Sequence, residues 1–172
     1  MDKSKRGSFA AGIGLILIGA LFLVFYFIPG LSLHMTWPII FLVLGFAFFL
    51  PGMAWPESRR GLAALYIEGT ILLGLGVIFF SNTLSGNWYM WAYEWLLIPA
   101  SVGLGMMLAA WGGNWNRTIW QIGLWIALIS VAAFSVFAAL FGDMVIKLVG
   151  AGILVLLGIG MLVRSFMNKK AE

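Results

Sequence analysis

Residues 12–28, GIGLILIGALFLVFYFI, lead through the neutral turn PGLSLHM at 29–35 into TWPIIFLVLGFAFF at 36–49. Neither apolar stretch carries a charge, and a helix rising 1.5 Å per residue needs about 20 such residues to cross a hydrocarbon core of about 30 Å. The uncharged run 9–28 meets that length, and 35–50, extendable to 54, approaches it. The stretch therefore predicts a hairpin of two membrane helices. A basic segment with Lys3, Lys5 and Arg6 precedes it. A cleaved signal peptide does not fit, because the apolar run exceeds the usual h-region of about 7–15 residues and no Ala-x-Ala-like site follows.

Composition extends this to the whole chain. Of 172 residues, 63% are hydrophobic and 9% charged, where soluble domains carry roughly 25% charge. Further apolar runs at 62–80, 88–110, 119–141 and 144–163 bring the expected total to six spans, joined by polar connections of a few residues. Such connections leave no room for a soluble nucleotide-binding, kinase or substrate-binding domain. Without cysteine, neither a disulfide framework nor a thiolate metal site can form.

Nine of the ten Lys and Arg lie at the chain termini or in the connections after the second and fourth spans: Lys3, Lys5, Arg6, Arg59, Arg60, Arg117, Arg164, Lys169 and Lys170. The net charge of +4 thus marks topology rather than a nucleic-acid surface. The positive-inside rule places both termini in the cytoplasm, with the lipid bilayer as the chain's partner. Trp88, Tyr89, Trp91, Tyr93 and Trp95 crowd the opposite side at the start of the fourth span. They fit an interfacial belt, the commoner role for such a cluster, with an aromatic ligand cage as the alternative.

Small residues suggest an internal repeat. Gly12 and Gly19, Gly69 and Gly76, and Gly123 and Ser130 are each seven apart in the odd spans. Gly45/Ala47, Gly103/Gly105 and Gly158/Gly160 follow in the even spans, and Trp37 and Trp95 each stand eight residues before the first of their pair. The expected architecture is all-α and polytopic: one integral membrane domain, 1–172, built of three hairpins at about 9–54, 61–111 and 118–164. Lipid tails compete on equal terms with Leu and Ile, so such helices associate through small residues. Gly12, Gly19, Gly69, Gly76, Gly158, Gly160 and the ridge Ser101, Gly105, Ala109 are the expected packing positions. The ridge faces a neighbouring helix or, alternatively, a second copy of the chain.

The Gly-rich helix, the Pro29-Gly30 turn and the run Thr36-Trp37-Pro38 leading to Gly45 resemble the transmembrane module of LiaI/LiaF-type bacterial membrane proteins over about residues 9–52. In the second hairpin Leu96 stands where Pro38 does, and the proline comes later as Pro99. The six-span, loop-poor outline is also similar to acid-resistance membrane proteins of the HdeD type. The first resemblance implies a cell-envelope-stress context, in which such modules anchor or modulate a membrane sensor. The second implies a role in acid tolerance. The soluble domain usual after the LiaF module does not follow it in these 172 residues, so a regulatory output is not implied.

No pattern calls for catalysis or a cofactor. His34 is the one histidine, Asp2 and Asp143 sit at span edges, and no phosphate-binding glycine loop occurs. The expected class is a non-enzymatic scaffold or stress-response accessory. The alternative is a small transporter, channel or proton path, and it rests on intramembrane ionisable groups, which cost about 2.5–3.5 kcal/mol each on insertion scales. Those groups are Glu68, Glu94 and Lys147. Aligning the repeats puts His34, Thr36, Glu94 and Lys147 at similar depth as a candidate polar cluster, within which Glu94 and Lys147 are expected to pair.

Overall fold

The computed structural model describes residues 33–168 and, within the first apolar run, positions 12, 14–16, 19, 20, 23 and 26. The described residues form helices joined by short turns, without strands. The five longest helices among those from residue 33 onward are α1 (Ile39–Ala47), α2 (Leu65–Ser85), α3 (Leu97–Gly112), α4 (Arg117–Phe141) and α5 (Met144–Asn168). The remainder of the first span, both terminal segments and the side chain of His34 lie outside the described residues.

Prolines set the breaks. A proline has no N–H for the carbonyl four residues back, and its ring clashes with that carbonyl. Pro38 therefore cannot continue the helical turn Leu33–Thr36 and instead precedes α1 as its cap. Pro51 releases Ala47, where α1 stops before the short helix Leu50–Ala54. Pro99 releases Trp95, and there the helical turn Trp91–Glu94 gives way to α3. Across that last break the chain bends by 55° between Trp88–Glu94 and Leu97–Gly112, and a 99° bend separates Ile39–Ala54 from Pro56–Leu62.

The other ends are set by capping. Gly86, at φ +65°, takes the left-handed conformation that closes α2. Asn116 opens α4 by accepting the Thr118 N–H at 3.0 Å. α2 runs to Ser85, beyond the expected end at residue 80, so much of the expected turn 81–87 is helix. The expected fourth span, 88–110, is divided between the 3-10 turn Trp88–Met90, the helical turn Trp91–Glu94 and α3.

Among the described residues two helices, α2 and α4, are each long and apolar enough to cross a membrane, and there are up to four such spans if each bent pair counts as one. Consecutive helices pack in order, α1 on α2, α2 on α3, α3 on α4 and α4 on α5. The interior is made of small residues: Ala63, Ala100, Ala109, Ala127, Ala138, Ser101, Ser130 and Ser135 are buried, whereas Leu, Ile, Val, Phe and Trp dominate the surface. A solvent as apolar as those side chains favours this inversion of the soluble pattern.

Two backbone crossings show why glycine is required. A Cβ on Gly45 would lie 2.9 Å from the Gly69 carbonyl oxygen, and one on Gly69 equally close to that of Gly45. At the α3–α4 crossing, a Cβ on Gly123 would come within 2.6 Å of the Gly103 carbonyl oxygen, and one on Gly103 would strike the Gly123 carbonyl. Gly76, Ser101, Gly105 and Ala109 are also buried, with Gly105 against Thr70 and the Ile67 Cα.

Gly158 and Gly160 are exposed, and a Cβ on either would meet nothing within 4 Å among the described residues. α5 packs on α4 through its first half, where a Cβ on Gly150 would lie 2.7 Å from the Ser135 carbonyl oxygen. Added Cβ atoms at Gly12 and Gly19 likewise meet nothing within 4 Å among the described residues.

Candidate functional site: a buried carboxylate beside an aromatic cavity

After α2 stops at Gly86, the Asn87 side chain accepts the Tyr89 N–H at 3.3 Å and starts the 3-10 turn Trp88–Met90. The following turn, Trp91–Glu94, is carried back against the end of α2. Glu94 is 7% exposed and Asn82, on the last turns of α2, is 0% exposed. The Asn82 Nδ2 donates to the Ile78 carbonyl at 2.8 Å and to the Glu94 carboxylate. Among the described residues Asn82 is the one hydrogen-bond partner of the Glu94 side chain.

Two buried oxygens stand beside this contact without a partner among the described residues, Asn82 Oδ1 and Thr83 Oγ1. Buried polar atoms are nearly always bonded, so two adjacent residues with such atoms unpartnered among the described residues single out this end of α2. Thr83 also lines a cavity of about 160 Å³ together with Met35, Trp37, Gly86 and Trp88.

Two of the lining residues, Trp37 and Trp88, belong to a larger group of packed rings. Trp37 and Trp88 lie within 8° of parallel with centroids 6.3 Å apart. Phe79, one turn before Thr83, packs 5.1 Å from Trp37 and 5.4 Å from Trp91. Phe41 closes the group edge-on to Phe79 at 5.3 Å. The ring group and the buried carboxyl thus both lie at the Ser85 end of α2, the carboxyl outside the cavity lining.

The expected polar cluster is reorganised. Thr36 is buried, and the His34 side chain falls outside the described residues. Lys147 is exposed on α5, its backbone N–H bonded to the Asp143 carbonyl at 2.8 Å. No ion pair joins it to Glu94; the carboxylate turns instead to Asn82. Glu68 is exposed in the first turn of α2, at the other end of that helix from Asn82. The aromatic belt also divides. Tyr89 is largely exposed and Trp88 and Trp95 half-exposed, while Tyr93 is buried against Phe134 at 6.0 Å.

Asn82 is the residue that sequence reasoning missed, because Ser81-Asn82-Thr83 and Ser85-Gly86-Asn87 read as one turn by composition. The available signal was its place at i+4 from Ile78 and i+3 from Phe79, continuing the helix. Among the described residues no group of three or more His, Asp or Glu could hold a metal ion. Comparison of the chain with known families, with curated proteins and with solved structures finds no match.

Proposed function

We propose that the chain is a non-enzymatic multi-pass protein of the bacterial cytoplasmic membrane, with six spans in three hairpins and both termini cytoplasmic. It acts as a scaffold or accessory to a second membrane protein, or to another copy of itself, in the envelope-stress setting that the resemblance of residues 9–52 implies or the acid-stress setting that the six-span outline implies.

The observation that carries the choice of a scaffold over a conduction path is the separation of the carboxylates. Glu94 is enclosed and bonded to Asn82, whereas Glu68 is exposed at the far end of α2. A proton or ion path through both would need them on one polar surface. The glycine crossings Gly45–Gly69 and Gly103–Gly123 support the repeat, since each joins an even span to the odd span after it at corresponding positions. The terminal segments and the connections after the second and fourth spans, which together hold nine of the ten basic residues, support the topology.

Reporter fusions at Arg59, Ser85 and Arg117 test the orientation: Arg59 and Arg117 are expected inside and Ser85 outside. Ser85 on the same side as Arg59 would overturn it. In-membrane crosslinking of the full chain, followed by identification of what co-purifies, is expected to recover a defined membrane partner or a homo-oligomer. Ion or proton flux in proteoliposomes that disappears in Glu94→Gln would instead establish the transporter.

A further inference from the structure

Two connections far apart in sequence are fastened together on one side of the molecule. The half-buried Trp115 donates its indole N–H to the Arg60 carbonyl at 2.7 Å, across 55 residues of chain. An added Cβ on Gly113 would lie 2.6 Å from the Cβ of Ala63, which is fully buried. The joint is therefore both hydrogen-bonded and close-packed. It brings Arg59 and Arg60, exposed in the helical turn Arg59–Leu62, towards Arg117, exposed at the start of α4. Arg117 follows Trp115 by two residues, at most about 7 Å of chain, and long arginine stems let the charged ends converge from there.

The segment that carries the first two arginines is set for a membrane surface. Pro56–Leu62 turns 99° away from Ile39–Ala54, so where α1 crosses a bilayer this segment runs along its face. Trp111, in the last turn of α3, is 79% exposed, and Trp120, in the first turn of α4, is 37% exposed. Such amphipathic rings settle at headgroup depth. Against the three arginines stand Glu57, in the same connection, and Glu68, in the first turn of α2, so positive charge is in excess. The residue type adds a second argument. Lysine satisfies the positive-inside rule as well as arginine, yet all three positions are arginine, and every lysine but Lys147 lies near the chain termini. What guanidinium has beyond ammonium is a planar fork of donors that matches a pair of phosphate oxygens.

We propose that Arg59, Arg60 and Arg117 together bind the phosphodiester of an anionic glycerophospholipid, with Trp111 and Trp120 at the rim and the Trp115–Arg60 bond holding the two connections in register. Basic groups between membrane helices at the headgroup level recognise such lipids. A lipid rather than a soluble anion is the occupant, because the arginines stand on a segment that lies along the bilayer face, flanked by interfacial tryptophans. The site goes beyond the scaffold role. It rests on the chain's lying in a bilayer and not on which side of the membrane the two connections face.

The test is native mass spectrometry of the full chain in detergent, titrated with dioleoyl phosphatidylglycerol or dioleoyl phosphatidylcholine, with thermal unfolding to monitor the fold. Phosphatidylglycerol is expected to bind saturably and at least several-fold more tightly than phosphatidylcholine, whose choline offsets the phosphate charge. The triple variant Arg59→Lys/Arg60→Lys/Arg117→Lys keeps every charge and is expected to weaken phosphatidylglycerol roughly tenfold while unfolding like the wild type. Trp115→Phe, which unties the connections without touching an arginine, is expected to weaken it roughly three- to tenfold. Arg164→Lys, the same exchange at the end of α5, is expected to leave binding unchanged, and inorganic phosphate at the lipid's concentration is expected not to displace it. Equal affinity for the two lipids in the wild-type chain, displacement by phosphate, full affinity in the triple variant, or an equal loss in Arg164→Lys would each overturn the proposal. A chain that stays folded and soluble without detergent would refute the membrane reading itself.

Discussion

The two ends of α2 solve the same packing problem with different chemistry. Near its first turn, Tyr66 is buried between two glycines: an added Cβ on Gly52 or on Gly112 would collide with its ring. Phe49 stacks on that ring with centroids 5.0 Å apart, and Ala63 and Ala109 are fully buried around it. The Trp115 Nε1 ties the same end by donating to the Arg60 carbonyl at 2.7 Å. At the far end Asn82 and Glu94 are equally enclosed, yet the carboxyl group there has one hydrogen-bond partner, and two neighbouring oxygens have none, among the described residues. The Tyr66 end is arranged for cohesion. The Glu94 end keeps groups that cohesion does not explain.

The contrast can be broken by substitution, with stability measured by denaturant or thermal unfolding in one detergent. The largest loss is expected for Tyr66→Ala, about 3–5 kcal/mol, since a buried ring between two backbones cannot be replaced by collapse. Asn82→Leu is expected to cost about 3 kcal/mol, because Glu94 is left buried and unpaired.

The sharper comparison is the double variant Asn82→Leu/Glu94→Leu, expected to be as stable as the wild type or more so, because apolar side chains often replace a buried polar pair without loss. If it were as damaging as Tyr66→Ala, both ends would be built for stability and the contrast would vanish. Trp115→Phe is expected to cost about 1 kcal/mol, the worth of one hydrogen bond. The smallest effect is expected for Lys147→Met, below about 0.5 kcal/mol, because Lys147 is exposed and does not contact Glu94. A loss of several kcal/mol there would restore the ion pair that the sequence alone suggested.

What the sequence by itself determined follows from local physics. Hydropathy and length made the chain helical and apolar enough for a bilayer. The packing role of Gly69, Gly76, Gly105 and Ala109 was readable because, with lipid as solvent, only close backbone approach distinguishes a neighbouring helix from a tail. Helix breaks were partly readable, since Pro38, Pro51 and Pro99 act on the carbonyl four residues before them whatever surrounds them.

Only the tertiary structure decided which groups meet. Equal depth in the repeat alignment made Lys147 a plausible partner for Glu94, but depth says nothing about azimuth, and α5 carries Lys147 outward. Asn82 became the partner because α2 continues one and a half turns past residue 80 and the chain then folds back after Gly86. Gly158 and Gly160 resembled the other small pairs in spacing, yet among the described residues α5 meets its neighbour through Gly150. Spacing along a helix records which residues share a face; which face is turned to which neighbour is set by the order and bends of the helices, and those arise from contacts distant in sequence.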